Sequence, residues 1–561
     1  MKKYLTFLLL IIITIAKLQA QSCLPDGIFF TSQSQIDSFP INYPNCREIE
    51  GNVTISGNNI TSLLGLLQIR HFNGNVNIFY NPNLKTLDGL DSLVSINHHL
   101  SIDTNVSLNN IESLNSLHLI GTHISISRNI SLKSLHGIES IDTVESIYIS
   151  SNDSLLSLEP LYGIKRLDGQ LSIGSNPSLK SLRGLDSLRF AFKVSIDNND
   201  SLTNLSGLDS ITIAQSIFIT ENDLLSDITS LSSISGQFSH IGISNNPNLI
   251  NLAGLEGVSS SHYLYIYNND SLTDLSGLEG LIEVNENLVI ENNENLRSLS
   301  GLDSNLISVR NFYLYSNSSL TDLSALINVN NIAGHFTIID NNSLKNLTGL
   351  DSVTNIGGFS LGGNDSLISL CGLDQLSSIQ SSFYIWGNNA LRDFSHLESL
   401  TDFTGYLEIQ FNSSLQSLNG IDNIRPGSIQ RLIISGNDSL SVCEVKSICK
   451  YLKIPDANAT IETNNIGCNT REEVEHACNI VATQELRSYE YFIYPNPAKK
   501  VFNVSSKVEI TRLVIYNNLG QIILNHNQVH NPIDVSMFDQ GMYIIEFVIN
   551  QKKIRKKLII N

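Results

Sequence analysis

Apolar and polar positions repeat along most of this chain with a period of 23 or 24 residues. Each repeat is marked by an asparagine, with two alternating aliphatic residues before it and leucines at three-residue intervals after it. The marker positions are Asn81, Asn105, Asn129, Asn152, Asn176, Asn199, Asn222, Asn246, Asn269, Asn293, Asn317, Asn341, Asn364, Asn388, Asn412 and Asn437. A fixed short period of this kind is typical of stacked coils and not of a globule around a closed pocket.

A single coil shows which elements the pattern predicts. In the coil around Asn176, Leu171 and Ile173 alternate with polar neighbours, as in a half-buried strand. An inward asparagine amide can bind the backbone groups that the turn after the strand leaves unpaired. The leucines that follow suit 3₁₀-like turns. Gly184 permits a φ that other residues resist, or a close approach of neighbouring coils.

The consensus of the coil, L-x-I-x-x-N-x-S-L-x-x-L-x-G-L-x-S-I, resembles two related families. Its first half is similar to the leucine-rich repeat. Its full length resembles the receptor L domain, although this chain is longer and more regular. Together they predict a mainly β fold, a parallel β-solenoid of about 17 coils over residues 51–442. The resemblance implies a fold and names no partner, because such folds bind very different molecules.

The N-terminus is predicted to be a secretory signal peptide, residues 1–20. Lys2 and Lys3 precede an apolar run that is too short to span a bilayer comfortably, and Ala20 fits a cleavage site. No later segment is apolar enough for a transmembrane helix, so we expect an exported protein. The solenoid would then have an N-terminal cap at 21–50, a C-terminal cap at 443–478 and a linker at 479–490.

Six of the seven cysteines flank the coils, as expected if disulfides close both ends of an exported solenoid. Cys23 and Cys46 are predicted to form one bridge. The other two bridges are expected among Cys443, Cys449, Cys468 and Cys478. Four cysteines allow three pairings, which the sequence leaves open, and a zinc site made by the same four is the alternative. Cys371 lies alone within a coil and is interpreted as a free thiol.

From residue 491 the period stops, and short alternating strands predict a small antiparallel β-sandwich over 491–561. Its motifs, in order, are Tyr494-Pro495-Asn496-Pro497, Ile533-Asp534-Val535-Ser536, Gly541-Met542-Tyr543 and the closing Lys556-Lys557-Leu558-Ile559-Ile560-Asn561. They resemble the C-terminal sorting domain of the type IX secretion system of Bacteroidota. The resemblance implies contact with that secretion machinery and a secreted or outer-membrane cell-surface location in a Bacteroidota-like bacterium. It also implies removal of the domain, which we expect to occur by cleavage near 483–490.

Aromatic side chains recur at outward strand positions, two and four residues before the asparagines, and Tyr263 and Tyr406 lie beside these positions. The residues predicted to contact a ligand are Tyr263, Tyr265, Tyr267, Tyr313, Tyr315, Tyr384, Trp386 and Tyr406. Tyrosine and tryptophan supply large, stiff contact area with a polar tip and suit flat sugar rings. The alternative is that these rings pack across strands and simply cover the sheet.

A column of carboxylates lies ten residues after the asparagines. Its members are Asp91, Glu139, Asp186, Asp209, Glu256, Glu279, Asp303, Asp351, Asp374, Glu398 and Asp422. We expect each to cap the short turn that follows it. Bound calcium would be the alternative, but no D-x-D-x-D-G loop is present. The Asp-Ser-Leu triplets in many coils resemble a Bacteroidota O-glycosylation sequon, and they are also ordinary turn formers.

Enzymatic motifs are missing: no H-E-x-x-H, G-x-S-x-G or phosphate-binding loop occurs, and no cofactor, metal or catalytic residue is predicted. A formal net charge of −19 argues against nucleic acid as a partner. We therefore expect a non-enzymatic binding or adhesion protein that presents a long surface to an extracellular glycan or protein. The alternatives are a structural coat or matrix protein without a specific ligand, and a β-helix polysaccharide-active enzyme.

Overall fold

The computed structural model describes residues 22–488, 491–506, 510–549 and 552–561. The predicted signal peptide lies outside these ranges, as do the last two residues of the expected cleavage segment. Within the described residues, no helix combines the length and apolar character that crossing a membrane requires.

Twenty-six strands precede the C-terminal domain in the described part of the chain. They are β1 (Ser22–Cys23), β2 (Ile28–Phe30), β3 (Glu48–Ile49), β4 (Val53–Ile55), β5 (His71–Phe72), β6 (Val76–Phe79), β7 (Ser95–Ile96), β8 (Leu100–Asp103), β9 (Leu119–Ile120), β10 (His123–Ser127), β11 (Ser146–Ser150), β12 (Arg166–Gly174), β13 (Phe190–Asp197), β14 (Ile213–Thr220), β15 (Gly236–Ser244), β16 (Val258–Tyr267), β17 (Glu283–Glu291), β18 (Ser308–Tyr315), β19 (Asn331–Ile339), β20 (Asn355–Gly362), β21 (Ser378–Ile379), β22 (Phe383–Trp386), β23 (Asp402–Phe403), β24 (Gly405–Gln410), β25 (Ile429–Ser435) and β26 (Ala459–Glu462).

Short helices interrupt these strands. The α-helices are α1 (Gln33–Asn42), α2 (Lys446–Leu452) and α3 (Arg471–Ser488). The 3₁₀ helices are η1 (Leu64–Leu66), η2 (Glu112–Leu114), η3 (Glu159–Leu161), η4 (Thr229–Leu231), η5 (Ser324–Leu326) and η6 (Pro426–Ser428).

One strand from nearly every coil joins a long parallel sheet. Pairing runs through β2, β4, β6, β8 and β10, then strand by strand to β20, and onward through β22, β24, β25 and β26. Among the described strands, β2 pairs only with β4 and β26 only with β25, so the sheet is open at both ends. With about 4.8 Å between strands, its 19 members extend for roughly 90 Å. The predicted parallel β-solenoid is confirmed.

A second, shorter row of parallel strands runs beside the long sheet. At the N-terminal end it consists of β1, β3, β5, β7 and β9. From β12 onward, single long strands carry both rows, with an irregularity in register where the chain turns the corner, as between Leu167 and Gln170. The rows separate again where β21 and β23 pair beside β22 and β24. Each coil therefore has two sheet sides and a third side made of turns.

A continuous apolar column fills the coils. The inward aliphatic residues of the coil around Asn176, such as Leu171 and Leu182, have no exposed surface. Four consecutive coils place phenylalanine inside, where the rings of Phe312, Phe336, Phe359 and Phe383 stack with centroids 5.3–5.6 Å apart. Because one coil cannot bury its own leucines, the neighbouring coils supply the cover.

Three disulfides lie near the ends of the solenoid, as predicted. Cys23 is bonded to Cys46, Cys443 to Cys468, and Cys449 to Cys478. Helix α1 buries Ile36 and Phe39 against the first coils, and α2 and α3 lie beside the last ones. The long sheet continues into both predicted caps, since β2 and β26 belong to it.

The C-terminal domain consists of two antiparallel sheets. Its strands are β27 (Tyr491–Tyr494), β28 (Val501–Ser506), β29 (Arg512–Tyr516), β30 (Ile522–His526), β31 (Ile533–Asp534), β32 (Gly541–Ile549) and β33 (Lys552–Ile560). One sheet has the order β27-β28-β31 and the other β30-β29-β32-β33. Phe502, Leu513, Ile545 and Phe547 are buried in a core of their own.

Candidate binding surface

Buried asparagines hold the ends of the strands whose outward side chains form the candidate surface. All 16 predicted asparagines have no exposed surface. The backbone N–H of Asn269 donates to Oδ1 of Asn293 at 3.1 Å, and its Nδ2 donates to the carbonyl oxygens of Ile243 and Tyr267 at 3.0 and 3.1 Å. The same bonds repeat in the other coils, so each amide ties a strand end to the coils on both sides.

The ladder has one further member, Asn464, which the sequence analysis passes over. Its Oδ1 accepts from the N–H of Asn437 at 3.0 Å, and its Nδ2 donates to the carbonyl of Ile434 at 2.9 Å. Helix α2 lengthens this coil, so that Asn464 follows Asn437 by 27 positions. The I-x-x-N spacing from Ile461 was the available signal.

The turn after each asparagine takes one of two forms. Coils with glycine eight residues after the asparagine place it at a φ of 109–117°, and its N–H donates to the carboxylate two residues later. Gly184 and Asp186, at 2.7 Å, and Gly349 and Asp351, at 2.9 Å, are examples. Coils with Ser, Pro or Ala at that position form η2, η3, η4 or η5 and lack the acid. The acids therefore close the turn that precedes them, and the expectation that they cap the following turn was wrong in direction.

Three of the predicted ligand-binding tyrosines come from β16. Tyr263, Tyr265 and Tyr267 alternate with buried residues and are each half-buried on the outer face. The Tyr263 ring stacks on His240 of β15 with centroids 4.7 Å apart, and it lies 6.2 Å from the Tyr265 ring. His240 lies six residues before Asn246, the place in its coil that Tyr263 occupies in the next one, but the sequence analysis named only the tyrosines there.

Strand β18 adds two more tyrosines to the same face. Tyr313 and Tyr315 are half-buried, with parallel rings whose centroids are 5.9 Å apart. Burial raises the pKa of Tyr315 above its usual value, although a hydrogen bond with Thr337 opposes the change. Strand β17 lies between β16 and β18 and contributes Val289 and Glu291. These five tyrosines, with His240, form what we call the tyrosine patch.

The remaining predicted residues lie apart from the tyrosine patch. Strands β19 and β20 separate them from it, and their outward residues are His335, Thr337 and Ile339 on β19 and Gly358, Ser360 and Gly362 on β20. On β22, Tyr384 is half-buried, and the Trp386 ring lies over Gly362 of β20, where a side chain on that glycine would collide with it. Tyr406 on β24 is 41% exposed. For Trp386, this contact is cross-strand packing of the kind that the sequence left as an alternative, and contact with a ligand stays a prediction.

A second group of rings lies near the N-terminal end of the sheet. His99 and His123 stack with centroids 4.8 Å apart, and Tyr148 meets His123 edge-on at 5.6 Å. Burial, followed by the charge of His123, lowers the pKa of His99; burial also lowers the pKa of His123 despite nearby Glu145. Both imidazoles are therefore held neutral near pH 7. The sequence analysis treated the histidines as scattered, since it did not compare positions one coil apart.

Family comparison finds a match in the C-terminal domain. Residues 492–561 match the model of the secretion system C-terminal sorting domain. Among curated proteins, the chain is similar to ulvan lyase NLR42 of Nonlabens ulvanivorans, with 29% identity over 135 residues. The matched part is 23% of this chain and 25% of that protein, so the chain spans about a quarter of that relative's length.

Among solved structures, the chain is similar to a leucine-rich repeat protein from Bacteroides eggerthii. The TM-score is 0.36 and the sequence identity 16%, over 78% of this chain and 77% of the other.

Proposed function

We propose that this protein, which its C-terminal sorting domain directs through the type IX secretion system to the cell exterior or the cell surface in Bacteroidota, acts there as a binding or adhesion protein. The observation that carries the proposal is the tyrosine patch. It places five half-buried tyrosines on β16 and β18, two strands of one sheet face that are separated by β17. Such rings present apolar faces and hydroxyl tips to a ligand without first having to be ordered, because packing already restricts them.

The chemistry of the patch favours an uncharged or weakly charged partner of extended shape. Tyrosine faces bind the apolar faces of sugar rings, and the hydroxyls bind sugar hydroxyls. Glu291 is a carboxylate on the outer face between the two sets of rings, and the chain as a whole carries a net charge of −19. A strongly anionic polymer would be repelled. We therefore favour a neutral glycan or a protein loop, bound by many weak contacts along the sheet.

Paired tyrosine substitutions test the proposal. The exported protein and a Tyr265→Thr/Tyr313→Thr variant are applied to glycan and extracellular-protein arrays, since threonine keeps the strand propensity while removing the ring. Binding to the same ligand should weaken by at least about tenfold, as expected for loss of two aromatic anchors. The control is Tyr162→Thr, which removes a tyrosine that is 60% exposed beside η3, away from the sheet face. Equal binding by all three proteins would remove the patch from the function.

A polysaccharide-active enzyme is the second candidate, favoured by the histidine pair. Neutral His99 and His123 beside Tyr148 are groups able to take a proton from a sugar carbon, and the similarity to an ulvan lyase covers a part of the chain. Incubation with uronate-containing polysaccharides, followed by ultraviolet detection of unsaturated products, tests it. Activity lost in His123→Gln would favour the enzyme, and no product from any substrate would leave the binding protein as the proposal.

A further inference from the structure

Two residues of the turn side lie on neighbouring coils, and the second of them departs from the repeat. Cys371 is the free cysteine of the described chain and occurs one residue before the turn glycine, Gly372. His396 takes the place that glycine occupies in ten other coils, and its φ is +81°. Its N–H donates to Glu398 at 2.9 Å, so the turn keeps the glycine form although histidine is strained there.

Both residues lie beside Asp374, which belongs to the column of carboxylates ten residues after the asparagines, called here the acid column. The sulfur of Cys371, a carboxylate oxygen of Asp374 and a ring nitrogen of His396 lie within 4.8 Å of one another. Nδ1 of His396 is 2.8 Å from Oδ1 of Asp374. The Asp374 side chain is 50% exposed and that of His396 33%, so the group is open to solvent on one side. It is the one such group of three in the part of the chain that the structure describes.

We propose that Cys371, Asp374 and His396 form a binding site for a zinc-class divalent cation, with water as the fourth ligand. One sulfur, one imidazole nitrogen and one carboxylate oxygen are the donor types that zinc prefers, and three protein ligands with an open position suit its tetrahedral geometry. Zinc bonds of about 2.0–2.3 Å put ligand atoms roughly 3.2–3.7 Å apart. Small side-chain rotations would convert the observed cluster to this arrangement, by separating the His396–Asp374 pair and bringing the Cys371 sulfur closer.

The surroundings favour a cation at this place. Asp351, Glu398 and Asp422 continue the acid column on the adjacent coils and make the local potential negative. The hydroxyl of Thr348, one coil earlier, contacts the Cys371 sulfur at 3.8 Å. Binding would release the thiol proton to solvent, since the thiolate is the ligand. The site lies on the turns, whereas the tyrosine patch is on the sheet, so the two proposals stand independently.

Zinc titration of the chelator-treated full chain, with its three disulfides kept oxidised and the Cys371 thiol free, tests the site. One equivalent of Zn²⁺ should bind, and Cys371→Ser and His396→Gly should each weaken binding by at least about tenfold. His396→Gly restores the residue of the other coils, so it should fold at least as well as the parent and separate binding from stability. The control is Asp186→Asn, the equivalent acid of a distant coil beside Gly184, which should bind zinc as the parent does.

Alkylation of Cys371 gives a second measurement that does not depend on affinity alone. Zinc should slow the reaction of the Cys371 thiol with iodoacetamide in the parent and in Asp186→Asn, but not in His396→Gly. Cadmium should produce a thiolate charge-transfer band that Cys371→Ser lacks. Weak binding of several ions, equal in all variants, would show only the acid column attracting cations and would overturn the proposal. Unchanged alkylation in saturating zinc would do the same.

Discussion

At the scale of single residues, the buried asparagine amides are the groups that the solenoid can least replace. Replacing Asn269 by alanine leaves the N–H of Asn246 and the carbonyls of Ile243 and Tyr267 without these partners inside the fold. Each unpaired buried group costs about 1–3 kcal/mol, so we expect Asn269→Ala to lower the free energy of unfolding by at least about 2 kcal/mol. Urea unfolding followed by circular dichroism measures the change.

The neighbouring residue provides the control. Asn268 is only partly buried and has a φ of 56°, which glycine adopts readily. Asn268→Gly should change the free energy of unfolding by less than about 1 kcal/mol. Equal losses in the two variants would mean that the inner ladder contributes no more than an outer hydrogen bond.

The turn glycines give a second prediction at this scale. Gly184 has a φ of 110°, and a Cβ on it would collide with the carbonyl of Leu158 in the preceding coil. Gly184→Ala should therefore lower the free energy of unfolding by more than about 2 kcal/mol, from backbone strain and the displaced coil. His396→Gly, measured without metal by the same urea unfolding, should change it in the opposite direction. A stabilised Gly184→Ala would contradict this interpretation of the turn.

At the scale of elements, the free energy of unfolding depends on pH through two stacked histidines of neighbouring strands. His99 directly precedes β8, and His123 is the first residue of β10. In the unfolded chain each imidazole takes up its proton near pH 6.5, whereas burial lowers the folded pKa. Between the folded pKa and 6.5 the unfolded state binds more protons, so the free energy of unfolding falls as the pH drops through this range. His99→Gln/His123→Gln should reduce the fall, measured as the urea midpoint at pH 7 and pH 5. His118→Gln, at an exposed position, should keep it, and parallel pH curves for all three proteins would exclude the pair as the cause.

The sequence predicts the contacts that repeat in every coil, but it misses contacts between particular side chains of neighbouring strands. The asparagines and inward leucines follow from the period, because their contacts join positions that lie a fixed number of residues apart. The covering of Gly362 by Trp386 depends on a side-chain conformation and on the residue 24 positions earlier, and no pattern within one coil contains it. The stacking of His99 on His123 is similar, since it appears only when equivalent positions of successive coils are compared. The sequence analysis assigned the acids to the wrong turn, because the same residues would allow each carboxylate to accept from an N–H before it or from one after it.

At the scale of the whole molecule, the solenoid is held together by contacts between successive coils. Strand pairing, the asparagine ladder and the phenylalanine stack all join a coil to the next one. Stability in such a chain is a sum of coil and neighbour terms, so the ends, with one neighbour each, should open first. The disulfides near both ends are placed where this fraying would begin.

This placement predicts what losing one disulfide does. Cys23→Ser/Cys46→Ser removes a bridge that spans 23 residues, worth about 3 kcal/mol of local stability. Hydrogen exchange should quicken in β2, β4 and the coils next to them, while the amides of β16 keep their protection because they exchange through opening of the middle coils. Cys371→Ser, without divalent metal, should leave both regions unchanged. If hydrogen exchange instead quickened equally in β4 and β16, the solenoid would unfold as one cooperative body. Binding at the tyrosine patch would then depend on the state of a cap that lies far from it along the sheet.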